Sequence, residues 1–172
     1  MVKSISTQRF IRLKPIGFVR TESTEAEIKE NKSEVISEIV VTKEFSNALD
    51  GIEEYSHIFV LYFMHRISKD HRRIMKVHPR GRTDMPLVGV FATRTAYRPN
   101  PIGLTLVKLL ERRETVLRVK GLDALHGTPV LDIKSYDLMD IAEDVKVPEW
   151  WIKLKNVQST DLIKNGIHNR MW

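Results

Sequence analysis

The chain has 172 residues, 42% of them hydrophobic and 29% charged, a balance that fits one globular domain long enough to bury a sizeable core. It contains no cysteine, which excludes disulfides, thiolate metal sites and a thiol nucleophile, and no apolar run is long enough for a membrane span. The formal net charge of +6 favours an anionic partner, nucleic acid first. The basic N-terminus lacks the apolar centre of a signal peptide, so the expected compartment is the cytoplasm.

Phe10 to Arg20 reads as a first strand, with Ile11, Leu13, Ile16, Phe18 and Val19 apolar and Pro15 marking an edge or bend. Thr21 to Ser33 is polar, rich in Glu and Lys and without a clear period, and is expected to be a surface loop. Ser33 to Val41 alternates as a strand, with Val35, Ile39 and Val41 set against Glu34 and Glu38. Glu44 to Leu49 predicts one helical turn closed by Asp50-Gly51. Ile58 to Met64 is apolar or aromatic throughout, which predicts a strand buried on both faces. His65 and Arg66 follow at its end, where a polar pair can line a cleft, although a lone histidine is more often structural. From Arg66 to Arg82 the cations Arg66, Lys69, Arg72, Arg73, Lys76, Arg80 and Arg82 are opposed only by Asp70. So polar a stretch predicts a long excursion from the body of the fold, either a solvated charged loop or a surface for RNA phosphates.

Pro86 to Thr93 is an apolar run of the length of a buried strand. Arg94, Tyr97, Arg98 and Asn100 then arrive within a few residues, with Pro99 and Pro101 bracketing Asn100. Each proline fixes its own φ and pushes the preceding residue towards extended geometry, so Arg98 and Asn100 are expected on a stiff backbone. Two guanidinium groups, an amide and a phenol at a strand end point to a pocket for an anionic or highly polar ligand; the alternative is a turn with solvated arginines. Leu104–Arg112 and Thr115–Gly121 read as a hairpin. Gly127-Thr128-Pro129 is a tight turn into a strand whose period of two puts Leu131 and Ile133 in the core. Asp132, Lys134 and Tyr136 fall on its other face, the first two as an ion pair. Asp137 to Trp172 is less regular, with Pro148, Trp150 and Trp151 available to pack onto the body or a second subunit. Seven or so strands with little helix predict an all-β fold, and a small β-barrel closes the edges that so many strands leave open. No repeat or linker divides the chain, so one domain is expected, with a core over about 10–140 and a tail over 141–172. The absence of G-x-G-x-x-G leaves a dinucleotide-type binding fold without support.

The string Ala92 to Leu104, ATRTAYRPNPIGL, resembles the signature of the TrmO (TsaA-like) family. Leu122 to Tyr136 resembles a second motif of that family, with His126 where an Asp is usual and Ser135 where a Pro is usual. Pro15–Thr21 and Leu49–His57 resemble it more weakly. The resemblance implies a TsaA-like β-barrel, a homodimer, S-adenosyl-L-methionine as cofactor and tRNA as partner, with no metal. The implied reaction is methylation of the exocyclic amine of threonylcarbamoyl-adenosine next to the anticodon. It further implies that the cofactor is held by Glu30, Asn31 and Lys32 (in place of a Pro-Arg-Gln-like segment), His65, Arg66, Arg94, Leu104, Leu122 and Asp123. The substrate would meet Arg98, Asn100, Asp132 and Tyr136. Arg94 is assigned to the cofactor and Arg98 to the substrate carboxylate. His65 is a candidate base for the leaving proton, direct loss to water being the alternative. Bacterial relatives usually carry a longer C-terminal extension, so tRNA recognition is expected to differ in detail. Two competing readings stay open: a non-enzymatic RNA-binding module that stacks bases on Tyr62 and Tyr97, and a methyltransferase with the same cofactor and another acceptor.

Overall fold

The computed structural model describes residues 10–155. Its strands are β1 (Gly17–Arg20), β2 (Ile36–Val41), β3 (His57–Phe63), β4 (Lys76–Val77), β5 (Val88–Gly89), β6 (Ile102–Arg113), β7 (Val116–Lys120) and β8 (Pro129–Ser135), with short helices α1 (Glu25–Asn31) and α2 (Glu149–Lys155). Six strands close a barrel in the order β1-β2-β7-β6-β3-β8, and β4 with β5 forms a separate two-stranded sheet. Every pairing is antiparallel, and β8 returns to β1 through Gly17↔Val130 and Phe18↔Pro129. The all-β barrel expected from the sequence is the fold found.

Alternation builds the core. In a strand, successive side chains take opposite faces, and the inward set includes Val19, Ile39, Val41, Ile58, Val60, Tyr62, Val107, Leu109, Leu117, Val119 and Val130. β3 is therefore not equally buried on both faces: Ile58, Val60 and Tyr62 are buried, while Phe59, Leu61 and Phe63 lie half-buried outside. In β8 a bulge corrects the simple period. Leu61 pairs with Asp132 but Tyr62 with Val130, so Leu131 is the extra residue. The phase shifts, Val130 becomes fully buried, Ile133 packs on the core and Leu131 is only partly covered.

The expected first strand begins only at Gly17, and Phe10, Ile11 and Leu13 are exposed. Thr21–Ser33 is not a loop: it holds α1, capped reciprocally by Thr24 and Glu27 and anchored by buried Ile28. Pro86–Thr93 is not a buried strand either. Only Val88–Gly89 pairs, with β4, before a 3-10 turn over Val90–Ala92, and Phe91 is 80% exposed. An apolar run becomes a buried strand only beside a long enough partner, and here the partner is two residues long. The turn over Lys43–Leu49 closes with Gly51 at φ +85°, and the hairpin of β6 and β7 forms as expected. Residues 66–82 leave the barrel as an excursion, as expected. Trp150 and Trp151 are half-buried on α2; Trp172 lies outside the described residues.

Gly103 on β6 stands opposite Tyr62 on β3. A Cβ at this position would lie 2.2 Å from Tyr62 Cζ and 2.7 Å from its hydroxyl oxygen. Gly103→Ala is expected to cost about 1–3 kcal/mol of stability through overpacking, read from urea unfolding; an unchanged midpoint would mean that the ring swings aside freely.

Candidate functional site

The loop from Val90 to Pro101 is stitched by its own side chains. Thr93 donates its hydroxyl to the Val90 carbonyl (2.9 Å) and accepts from the Thr95 amide (3.3 Å), and the Thr95 hydroxyl accepts from the Tyr97 amide (3.2 Å). Arg98 donates through Nε to the Thr95 carbonyl (2.8 Å) and through Nη2 to the Thr93 and Val90 carbonyls (2.7 and 3.5 Å). Its guanidinium thus braces the loop through Nε and Nη2. Pro101 is buried and its carbonyl accepts from the Met64 amide at 2.8 Å. That bond sets exposed Asn100 beside exposed His65 and Arg66, at the outgoing end of β3. Arg94 is partly desolvated, which lowers its pKa from the ordinary guanidinium range.

Helix α1 joins this loop to the other expected segments. Near its start, Glu25 lies 4.0 Å from Arg66 and 2.7 Å from Lys29. Lys29, and more weakly Arg66, hold the Glu25 carboxyl below its usual pKa. Glu25 in turn raises the Lys29 ammonium, with the Tyr97 phenol a lesser contributor. Just past the end of α1, Lys32 Nζ reaches Asp123 Oδ2 at 3.5 Å. Lys32, Arg66, Asn100, His65 and Asp123 are therefore drawn around α1 at one end of the barrel, and Arg94 lies on the loop that carries Asn100. The pattern Thr24-x-x-Glu27 is a capping box and was the signal by which this helix could have been found.

Tyr62 supports the arrangement from inside. Its hydroxyl donates to the Asp123 carbonyl at 2.6 Å and sits 3.2 Å from Thr105 Oγ1. It is buried, so it is not available for stacking bases. Burial pushes its phenol up to about 12. Leu122 is fully buried in the core cluster, so its side chain serves packing and only its backbone is left to a ligand.

Other expected residues lie apart. Tyr136 packs edge-on against His57 and Phe59, at the start of β3, whereas His65 follows its end; six strand steps are about 20 Å. Asp132 pairs with Lys134 at 2.8 Å on the outer face, where Leu61 stands between it and Leu104 in register. A groove of about 940 Å³ lies on the flank of β1 and β2; of the expected residues it takes only Glu30 and Asn31, among Glu27, Glu34 and Glu38. Among the described residues, no group of three His, Asp or Glu side chains could hold a metal ion.

Fold and site together define a closed β-barrel domain with a polar cluster of mixed charge at one end, built by α1, the turn before β8 and a proline-braced loop. Residues 12–140 match the family model described as the tRNA-methyltransferase O N-terminal domain. The chain belongs to the TrmO family. It is 47% identical over 129 residues to a protein of Methanothermobacter thermautotrophicus named "Probable S-adenosyl-L-methionine-binding protein", covering 73% of this chain and 90% of that one. It is 39% identical over 115 residues to a human "tRNA (adenine(37)-N6)-methyltransferase", covering 66% of this chain but 26% of the human one. A crystal structure of TrmO superimposes with a TM-score of 0.64 at 31% identity, over 80% of this chain and 63% of that one. The chain thus spans less than two thirds of the solved TrmO chain.

A test of the internal support follows from Tyr62. The unfolded phenol ionises near 10 and the native one near 12, so the raised native pKa favours the folded state below pH 10, and that advantage is lost as pH rises through 10 to 12. The loss is expected to reach about 2–3 kcal/mol, and Tyr62→Phe should flatten this alkaline limb in denaturant titrations. An identical limb in the variant would assign it to other groups.

Proposed function

We propose that this chain is an S-adenosyl-L-methionine-dependent tRNA methyltransferase whose acceptor is the exocyclic nitrogen of a threonylcarbamoyl-modified adenine beside the anticodon. The observation that carries the reading is the convergence of Lys32, His65, Arg66, Asn100 and Asp123 around α1, in a family whose relatives are named for this cofactor and for adenine methylation in tRNA. The donor set suits the cofactor, a zwitterion with a sulfonium: Asp123 meets positive groups, and Arg94 and Arg66 meet its carboxylate. When bound, the cofactor supplies an electrophilic methyl group.

The chain's own contribution is positioning more than acid–base power. Pro99, Pro101 and the Arg98 bonds keep Arg94 and Asn100 on a rigid loop. Lys32 orients the Asp123 carboxylate, and Tyr62 orients its backbone. His65 takes the proton from the acceptor nitrogen and, being exposed, passes it to water. The basic excursion over 66–82 meets RNA phosphates. A tRNA partner fits a cytoplasmic location. A second copy covers the outer face of β3 and β6, where Leu104 is 52% and Ile102 38% exposed beside Phe59 and Phe63.

Calorimetric titration with S-adenosyl-L-methionine should show binding, weakened about tenfold or more in Arg94→Ala through loss of a charge-assisted contact. Methyl transfer should occur to tRNA carrying the threonylcarbamoyl group and not to tRNA lacking it. Absence of cofactor binding in the wild type would favour the non-enzymatic RNA-binding module, and equal transfer to both tRNAs would favour a different acceptor.

A further inference from the structure

The excursion over residues 66–82 folds back onto the signature loop, and an aromatic pair joins the two. The rings of His71 and Tyr97 stack with centroids 4.4 Å apart and planes 8° from parallel. Both residues are exposed, Tyr97 at 38%, so a parallel aromatic pair is presented to solvent instead of being packed into the core. The pair stands on a built scaffold. His71 Nδ1 lies 2.9 Å from Ser68 Oγ, which fixes the ring. Arg72 donates to the Ile67 carbonyl (3.2 Å) and lies over the Phe63 ring at 5.2 Å, tying the turn to the end of β3. The pairing of β4 with β5 and the bond from the Val90 amide to the Met75 carbonyl (3.0 Å) join the excursion to the signature loop from its other side.

The surroundings are cationic. Lys69 and Arg73, two positions either side of His71, are exposed, as is Asp70 beside it. A flat aromatic surface with exposed cations on the same turn suits a nucleobase with its phosphates. Tyr97 sits between Arg94 and Arg98, so a base on the pair lies next to the proposed reaction site. We propose that the His71–Tyr97 pair is a stacking platform for an unpaired base of the substrate RNA adjacent to the methylated one, and that His71 is a positioning residue for the acceptor. This rests on the tRNA methyltransferase reading and adds to it the single-stranded, stacked form in which the RNA is held.

The test uses an anticodon stem-loop RNA with 2-aminopurine beside the target adenine, and wild-type, His71→Ala and His71→Phe proteins. Binding to the wild type should change the 2-aminopurine fluorescence, and His71→Phe should retain both that change and the wild-type KM. His71→Ala should abolish the change and raise the RNA KM about five- to hundredfold, with kcat at saturating RNA and the cofactor Kd unaltered. The salt dependence of RNA binding should also be unaltered, because no phosphate contact is lost. Retention of fluorescence change and KM in His71→Ala would overturn the platform, and so would a weakened cofactor Kd, which would make the stack a clip for the loop. Cofactor binding and methylation without any wild-type fluorescence change would overturn the platform alone and leave the methyltransferase reading standing. A wild-type fluorescence change without cofactor binding or methylation would overturn that reading and leave the platform.

Discussion

Closure of the barrel depends on a short seam. Gly17 and Phe18 of β1 pair with Val130 and Pro129 of β8, and the seam is extended by bonds from the Ile16 amide to Val130, the Val19 amide to Thr128 and the Gly127 amide to Val19. Glycine is required at 17, because a Cβ there would lie 2.4 Å from the Val40 carbonyl oxygen. Without the seam, β1 and β8 become open edges with unpaired amides and carbonyls. With it, every barrel strand is paired on both sides, and the loops at the ends inherit fixed positions.

Those positions make the functional cluster. The turn after Gly121 carries Leu122 into the core and leaves Asp123 at the rim, and the Tyr62 phenol clamps the Asp123 carbonyl there. Gly103 gives the Tyr62 ring its space, so the signature string serves the interior of the barrel as well as the pocket. Helix α1 spans the gap between that turn and Arg66 at the end of β3, with cations and carboxylates alternating along its contacts. Arg98, expected to meet the substrate, holds its own loop in shape through Nε and Nη2. A rigid loop made this way keeps Arg94 and Asn100 in place before any ligand arrives, which limits the ordering cost of binding.

Much of this was legible from local pattern. The alternation in β2, the hairpin of β6 and β7, the turns at Gly51 and Gly127 and the basic excursion follow from rules acting within a few residues of each other. Two of the failures share one cause. The run Pro86–Thr93 has a strand's composition but no long partner strand, and the Leu131 bulge depends on how β8 meets β3. The helix α1 was missed because its single buried residue, Ile28, gives too weak a hydrophobic period, although its capping box was present.

By itself the sequence determined the class of fold, the positive charge and the stiffness of the proline-braced loop, because these depend on composition, period and the fixed φ of proline, and its motif strings carried the resemblance to the family. Only the tertiary structure decided which residues face one another. It paired Lys32 with Asp123 across 91 positions of chain, turned Tyr62 inward to support Asp123 and stacked His71 on Tyr97. It also placed Tyr136 at the far end of β3 from His65. Such contacts arise from strand register and barrel closure, which join segments distant in the chain and leave no local trace in either.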